Sequence, residues 1–321
     1  MTLPQFLSRW NDESPFIQVK TSGSTGAPKI MFVEKKRMWE SARATCDFLG
    51  LKEGDIALLC MSLDYIAGKM MVVRVLQRRL QFIEVPVSGH PMGDNALEGR
   101  TIDFAAMVPL QVYNSIQEPV QLQRLKQIRH LLIGGGALDA DLEQKLSEFP
   151  HAVWCSYGMT ETLSHIALRR VNGPTASQWY TPMPGVKVTV DDEHCLVIDA
   201  PLVCPKALKT NDIGEMAPDG RRFRILGRKD NVICSGGLKI QAEEVERLLR
   251  PHLSFPFFIT KMKDEKYGEL VVLVAETKDN KKLDDIFRDV LPLYWIPRKV
   301  LYVDSLPLTE TGKPKRQIDR R

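Results

Sequence analysis

Over roughly its first 155 residues the chain alternates short apolar runs with stretches of helical periodicity, and few folds satisfy that pattern. IQVKTSG reads as a strand entering a loop. From Glu34 to Leu49, residues Met38, Ala42, Thr45 and Leu49 recur at helical spacing, and Gly50 supplies a stop. DIALLCMS then reads as a buried strand, Tyr65 to Arg78 as a helix, and LQFIEVPV as a strand. Leu122 to Arg129 reads as a helix entering the strand HLLIGGG. Asp139 is placed to cap a helix running to Phe149, and AVWCSYG returns as a strand. Such alternation calls for a mainly parallel sheet covered by helices.

The pattern changes after about residue 165, where GVKVTVDD, HCLVIDA and RRFRILGR are short β segments punctuated by Pro, Gly and Asp. Beyond Arg228 a new cycle begins: helix Ala242 to Leu249, strands FFITKMK and ELVVLVAE, helix Leu283 to Val290, strand KVLYVD. The expected fold is α/β. A large N-terminal domain of layered α/β sheet with a β-rich subdomain spans residues 1–229, and a small mobile α+β C-terminal domain spans 230–321. At 321 residues two cores are the expectation, because single cores stop growing near ~250–300 residues.

Composition narrows the function classes. The 44 basic and 40 acidic side chains leave a net charge of +4, which is no electrostatic footprint for nucleic acid. No apolar run approaches the ~18 residues of a membrane span, and the first residues, MTLPQFLSRWNDESPF, lack the pattern of a secretory leader, so a cytoplasmic protein is expected. The six cysteines show no C-x-x-C pair and no His/Cys spacing for a metal; they read as reduced core thiols.

The chemistry-bearing residues follow the strands. TSGSTGAPK places Thr21, Ser22, Gly23, Ser24, Thr25, Gly26 and Lys29 directly after a strand. Hydroxyls, backbone donors freed by glycine and one cation are what a polyphosphate needs. The spacing G-x-x-G-x-x-K is not that of a P-loop. LLIGGGAL ends a strand in glycines, Gly135 and Gly136 among them, so that a flat ligand can lie on bare backbone. SYGMTE ends the next strand with Tyr157, Thr160 and Glu161, and the carboxyl ends of neighbouring strands are where open α/β sheets bind nucleotides. Then come Asp212 in KTNDIGE, Arg228 and Asp230 in LGRKD, Gly236 and Gly237 in SGGLK, and Lys313 in TETGKPK. Taken singly, each has an ordinary explanation: a loop, a turn aspartate, a surface ion pair, a glycine turn, a solvated lysine.

In this order the motifs resemble the adenylate-forming superfamily of acyl-CoA synthetases, nonribosomal-peptide adenylation domains and luciferases, from about residue 17 to the C-terminus. The resemblance implies an enzyme that uses ATP, Mg2+ and CoA to activate a small-molecule carboxylic acid, and the charge balance and short apolar runs add the expectation of no nucleic-acid partner and no membrane span. It implies that Thr21 to Lys29 close over the β- and γ-phosphates, that Gly135, Gly136 and Tyr157 frame the adenine, and that Asp212 holds the ribose hydroxyls with Arg228 beside it. Thr160 and Glu161 would approach the α-phosphate and the metal. Lys313 would be the catalytic lysine bridging carboxylate and α-phosphate, Asp230 the hinge of the C-terminal domain, and Gly236 and Gly237 the path of the thiol. Chemistry agrees: a carboxylate accepts two hydroxyl donors, magnesium takes one or two carboxylates with phosphate oxygens, and a fixed ammonium suits the charge gathering on phosphorus.

MSLDYIAGKMMVVRVL and AAMVPLQV look more specifically like the o-succinylbenzoate–CoA ligases of menaquinone biosynthesis. Tyr65 then stands at the acyl pocket. Tyr65 and Lys69 share a helical face and Arg74 is offset from it. Such a ligase needs a cation for the acid's second, unactivated carboxylate, and an arginine fork suits it. Ser164 and His165 read as pocket lining, with the histidine packing or hydrogen bonding rather than exchanging protons, since a carboxylate nucleophile needs no general base. The alternatives are a ligase for another aryl or fatty acid, or a non-catalytic adenylate-binding protein. Family members carry a sizeable region before the phosphate loop, where about twenty residues stand here; a shortened N-terminus would favour a homo-oligomer.

Overall fold

The computed structural model of the chain describes residues 1–20, 30–277, 283–307 and 315–316. Two compact units form. The first comprises Met1–Val188, Ile198–Leu208 and Ala217–Phe223; the second comprises Thr189–Val197, Lys209–Met216 and Arg224–Arg321.

In chain order the first part runs α1 (Leu3–Trp10), β1 (Phe16–Lys20), β2 (Ile30–Glu34), α2 (Lys35–Leu49), β3 (Ile56–Leu59), α3 (Ile66–Arg78), β4 (Gln81–Glu84) and β5 (Phe104–Met107). It continues α4 (Pro109–Gln117), α5 (Pro119–Lys126), β6 (His130–Ile133), α6 (Ala140–Ser147), β7 (Ala152–Gly158), β8 (His165–Arg170) and β9 (Thr181–Pro182). A seven-stranded sheet has the order β4-β3-β5-β6-β7-β8-β9. It is parallel from β4 to β7 and antiparallel from β7 to β9.

Local sequence explains these elements. β5 is buried at every position, as a central parallel strand covered on both faces should be. On α2 the buried stripe is Met38, Ser41, Ala42, Thr45, Cys46 and Leu49, and Gly50 ends the helix at a φ of 65°, a left-handed conformation that glycine adopts without steric cost. The Asp139 carboxylate caps α6 by accepting from the Leu142 N–H at 2.8 Å. α1 is an addition to the sequence expectations: Thr2 and Gln5 form a reciprocal capping box, and Phe6 is buried against the core that α2, α3 and β3 share.

The remaining elements are β10 (Lys187–Val190), β11 (Cys195–Asp199), β12 (Leu208–Met216), β13 (Phe223–Arg228), β14 (Val232–Ser235), β15 (Leu238–Gln241), α7 (Ala242–Leu249), β16 (Phe257–Asp264), β17 (Gly268–Ala275), α8 (Leu283–Val290) and β18 (Lys299–Tyr302). Strands β10 to β13 form a four-stranded sheet in sequence order. In the second unit β16 and β17 make a long antiparallel pair, with β18 parallel to β17. Val245 and Leu249 of α7 and Phe287 of α8 join Ile259 and Leu273 in its core. The α+β cycle expected after Arg228 is therefore present.

Five of the cysteines are buried, as core thiols should be, and burial pushes the Cys60 thiol up to about 12. Cys234 departs from that expectation: it lies on the exposed face of β14. Among the described residues no helix is long and apolar enough to cross a membrane.

Candidate active site

In the first unit the predicted residues gather at the carboxyl ends of β6 and β7, which are parallel neighbours. Gly135 has a φ of 80°, and a Cβ on Gly136 would meet Pro109 Cγ at 3.4 Å, so these glycines lie close against the start of α4. Tyr157, at the end of β7, is 7% exposed, its ring edge-on to Phe223 with centroids 5.5 Å apart.

The turn from β7 to β8 carries the rest. Its register shifts between Tyr157 and Gly158. A Cβ on Gly158 would come within 2.2 Å of the Ser164 carbonyl oxygen, so only glycine lets the two arms of the turn approach. Leu163 takes a φ of 65°, which is costly for a side chain of this size. Thr162 holds the turn: its hydroxyl accepts from the Met159 N–H at 3.0 Å and lies 2.8 Å from the Ser164 carbonyl oxygen. This leaves Glu161 exposed on a short 3-10 turn, Thr160–Thr162, with Ser164 directed inward. Among the described residues no cluster of three or more His, Cys, Asp or Glu side chains is arranged to hold a metal. A lone exposed carboxylate such as Glu161 fits magnesium, which is commonly held by one or two carboxylates and substrate phosphates.

Arg74 and Ser164, ninety residues apart, are brought together. Arg74 is 2% exposed, and its Nη2 donates to Ser164 Oγ at 2.6 Å. The guanidinium lies 5.9 Å from the centre of the Phe104 ring, and its Nε is buried without a hydrogen-bond partner. No carboxylate pairs with it among the described residues, and burial pulls its pKa down to about 10. An unpaired buried cation is expensive unless an anion arrives to share the site.

Lys69 and Tyr65 lie elsewhere on α3. They line a cavity of about 810 Å³ together with Gln5, Arg9, Lys20 and Asp64, and neither Arg74 nor Ser164 borders it. Lys69 is 2% exposed; its ammonium donates to the Asp64 carbonyl at 3.1 Å, and burial holds its pKa below the usual lysine value. The helical offset between Lys69 and Arg74 thus sends the two cations to different surroundings.

In the second unit Asp212 lies within β12, not in a turn, and is 9% exposed. Arg228 Nη1 donates to Asp212 Oδ1 at 2.8 Å and Nη2 donates to Asp230 Oδ2 at 3.1 Å, so one guanidinium ties both carboxylates. Gly236 and Gly237 have φ values of 58° and 84° and form the two-residue turn between β14 and β15, the geometry favoured in tight hairpins. Arg316, just beyond the predicted lysine, donates to Glu246 of α7 at 2.9 Å. Thr21, Ser22, Gly23, Ser24, Thr25, Gly26, Lys29 and Lys313 lie outside the described residues.

Thr45 was not singled out as a site residue by sequence; with His165, read there as pocket lining, it completes the surroundings of Ser164. The imidazole is 8% exposed and sits between the Thr45 and Ser164 hydroxyls, as expected of a histidine that hydrogen bonds.

Strand-end glycines beside an aromatic, an exposed carboxylate and a buried arginine are thus grouped at the end of an α/β sheet. The chain belongs to the AMP-binding enzyme family, whose model matches residues 8–201. It is 25% identical to a 2-succinylbenzoate–CoA ligase of Listeria monocytogenes, over 98% of this chain and 71% of that protein. The crystal structure of an acyl-CoA synthetase (AMP-forming)/AMP-acid ligase II-like protein from Dyadobacter fermentans is 31% identical, covers 97% of this chain and 91% of its own, and superimposes with a TM-score of 0.65. The o-succinylbenzoate coenzyme A synthetase of Bacillus subtilis, solved with ATP and magnesium ion, shares the fold at 22% identity and a TM-score of 0.77, over 93% of this chain and 68% of its own.

Proposed function

We propose that the chain is an AMP-forming acid–thiol ligase that converts o-succinylbenzoate first to its acyl-adenylate and then to its CoA thioester. The observation that carries the choice of acid is Arg74, a buried guanidinium with a free Nε and no carboxylate partner among the described residues, bonded to Ser164. A fatty-acid ligase has no use for such a cation, whereas an acid with a second carboxylate does. The names of the curated relatives support the same reading.

In the first step a carboxylate oxygen of the acid attacks the α-phosphorus of ATP, the bond to the bridging oxygen of the β-phosphate breaks, and pyrophosphate leaves. In the second the CoA thiolate attacks the acyl carbon, the bond to AMP breaks, and the thiol proton passes to solvent. Arg74, held in place by Ser164, fixes the unreacting carboxylate, which orients the other. Tyr65 and Lys69, which line a different cavity, are given no part in holding that carboxylate. Thr21 to Lys29 hold the β- and γ-phosphates, Gly135, Gly136 and Tyr157 frame the adenine, and Asp212 with Arg228 holds the ribose. Glu161, with Thr160 beside it, would hold magnesium, which when bound neutralises phosphate charge. Lys313 offers an ammonium to the crowded oxygens of the reacting phosphorus. Asp230 is the hinge on which residues 230–321 turn between the two steps, and Gly236 and Gly237 line the thiol path.

The test is pyrophosphate release over a panel of acids, with and without CoA. o-Succinylbenzoate should turn over well above benzoate or a fatty acid, and CoA should release AMP and the thioester. Equal turnover of all three would remove the specific acid and leave the general ligase; no acid-dependent release at all would remove both.

A further inference from the structure

The surroundings of Arg74 extend into a buried chain of polar groups that the reaction itself does not call for. Thr45 Oγ1 lies 3.0 Å from the Ser41 carbonyl oxygen one turn earlier on α2, and the only group there that can donate is the hydroxyl. The Thr45 oxygen is then an acceptor toward His165 Nε2, 3.0 Å away, so Nε2 carries the imidazole proton. The other ring nitrogen, Nδ1, is left bare and accepts from the Ser164 hydroxyl at 3.3 Å. With its proton turned toward His165, Ser164 offers only lone pairs to Arg74, which donates at 2.6 Å. Every link has one direction. Ser41, Thr45, His165 and Arg74 are all at least nine-tenths buried and Ser164 is partly buried, so water is kept from the Ser41–Thr45–His165 links.

We propose that Thr45 and His165 are positioning residues for the acid's second carboxylate: by fixing the His165 tautomer they orient Ser164, and Ser164 in turn fixes which guanidinium donors of Arg74 remain for the substrate. The inference rests on the reading that Arg74 receives that carboxylate. It adds that selectivity for a dicarboxylic acid is built on α2 and β8 as well as α3. Burial and the neighbouring Arg74 charge keep the imidazole neutral, which the relay requires. A protonated ring would donate from both nitrogens and turn the Ser164 proton away.

The experiment compares o-succinylbenzoate with 4-oxo-4-phenylbutanoate, the same acid without its ring carboxylate, in the full-length enzyme. Thr45→Val should raise KM for o-succinylbenzoate about five- to tenfold while leaving KM for ATP and for the monocarboxylate unchanged, and Thr45→Ser should restore the lost selectivity. His165→Phe should act in the same direction, and His165→Asn, which keeps an acceptor near the Nδ1 position, should recover part of it. Nitrogen NMR of the labelled imidazole should show the Nε2–H tautomer, so the proposal stands on two independent readouts even where a histidine variant fails to fold. Parallel rises in all three KM values, or a Thr45→Ser enzyme as impaired as Thr45→Val, would overturn the relay. If Arg74→Met abolishes acid discrimination while Thr45→Val does not, the relay alone fails. If wild type does not distinguish the two acids, the role of Arg74 and the relay fail together.

Discussion

Arg74→Met separates function from stability in a way few substitutions do. Methionine keeps an unbranched apolar stem in the space between α3 and β5 and removes the charge. The native state holds the guanidinium pKa at about 10 against an ordinary 12.5, a shift caused by burial and opposed by little. A basic group whose folded pKa is lowered destabilises the fold at every pH below that value, so the penalty is fully present at pH 7. At about 1.4 kcal/mol per unit it amounts to roughly 3 kcal/mol. Against this, the substitution forfeits the charged hydrogen bond to Ser164, about 1.5–3 kcal/mol, while Ser164 keeps His165 as partner. The variant should therefore be as stable as wild type or up to about 1–2 kcal/mol more stable in urea unfolding. Its kcat/KM for o-succinylbenzoate should fall on the order of 10- to 100-fold, the loss of one charged contact. A variant destabilised by more than about 2 kcal/mol with unchanged acid selectivity would show that Arg74 serves the fold, and the reasoning would be refuted.

Two further outcomes are expected. Gly158→Ala should cost about 1–3 kcal/mol in denaturant unfolding and lower kcat/KM for the acid, because the new Cβ collides with the Ser164 carbonyl 2.2 Å away and displaces Ser164 and His165; a wild-type urea midpoint would contradict the close approach. His130 is held down to about 4, first by burial and then by Arg129 and Arg170, so it is neutral in the fold and its contribution is complete above pH 6.5 and lost as pH falls toward 4. With its ring partly exposed, the loss should be about 2 kcal/mol, and His130→Asn should flatten that part of the pH profile; an identical decline in the variant would assign it elsewhere.

Much of the fold was legible because local signals agreed with the global pattern. Asp139 capped its helix, the apolar stripe of α2 ended at Gly50, and Ala242–Leu249 and Leu283–Val290 formed helices over the expected residues. α1 and α4 were passed over although both carried signals, a Thr2/Gln5 capping box and Pro109 at a first helical position. The pairing of Arg74 with Ser164 is different in kind: ninety residues separate them, and no periodicity encodes a contact that sheet topology creates. The family resemblance pointed to both residues; only the structure joins them. Thr45 did leave a trace, a hydroxyl on the buried stripe of α2 where an apolar residue belongs, and a buried polar side chain implies a partner. Cys234 escaped because nothing in an isolated cysteine tells which face of a strand it occupies.

The most direct test of adenylation follows oxygen. With the carboxylate of the acid labelled with oxygen-18, attack on the α-phosphorus transfers one label into AMP when CoA forms the thioester. AMP carrying a single heavy oxygen is the outcome this account requires. Unlabelled AMP, or label appearing in inorganic phosphate with ADP as the nucleotide product, would mean that the carboxylate never bonded to the α-phosphorus.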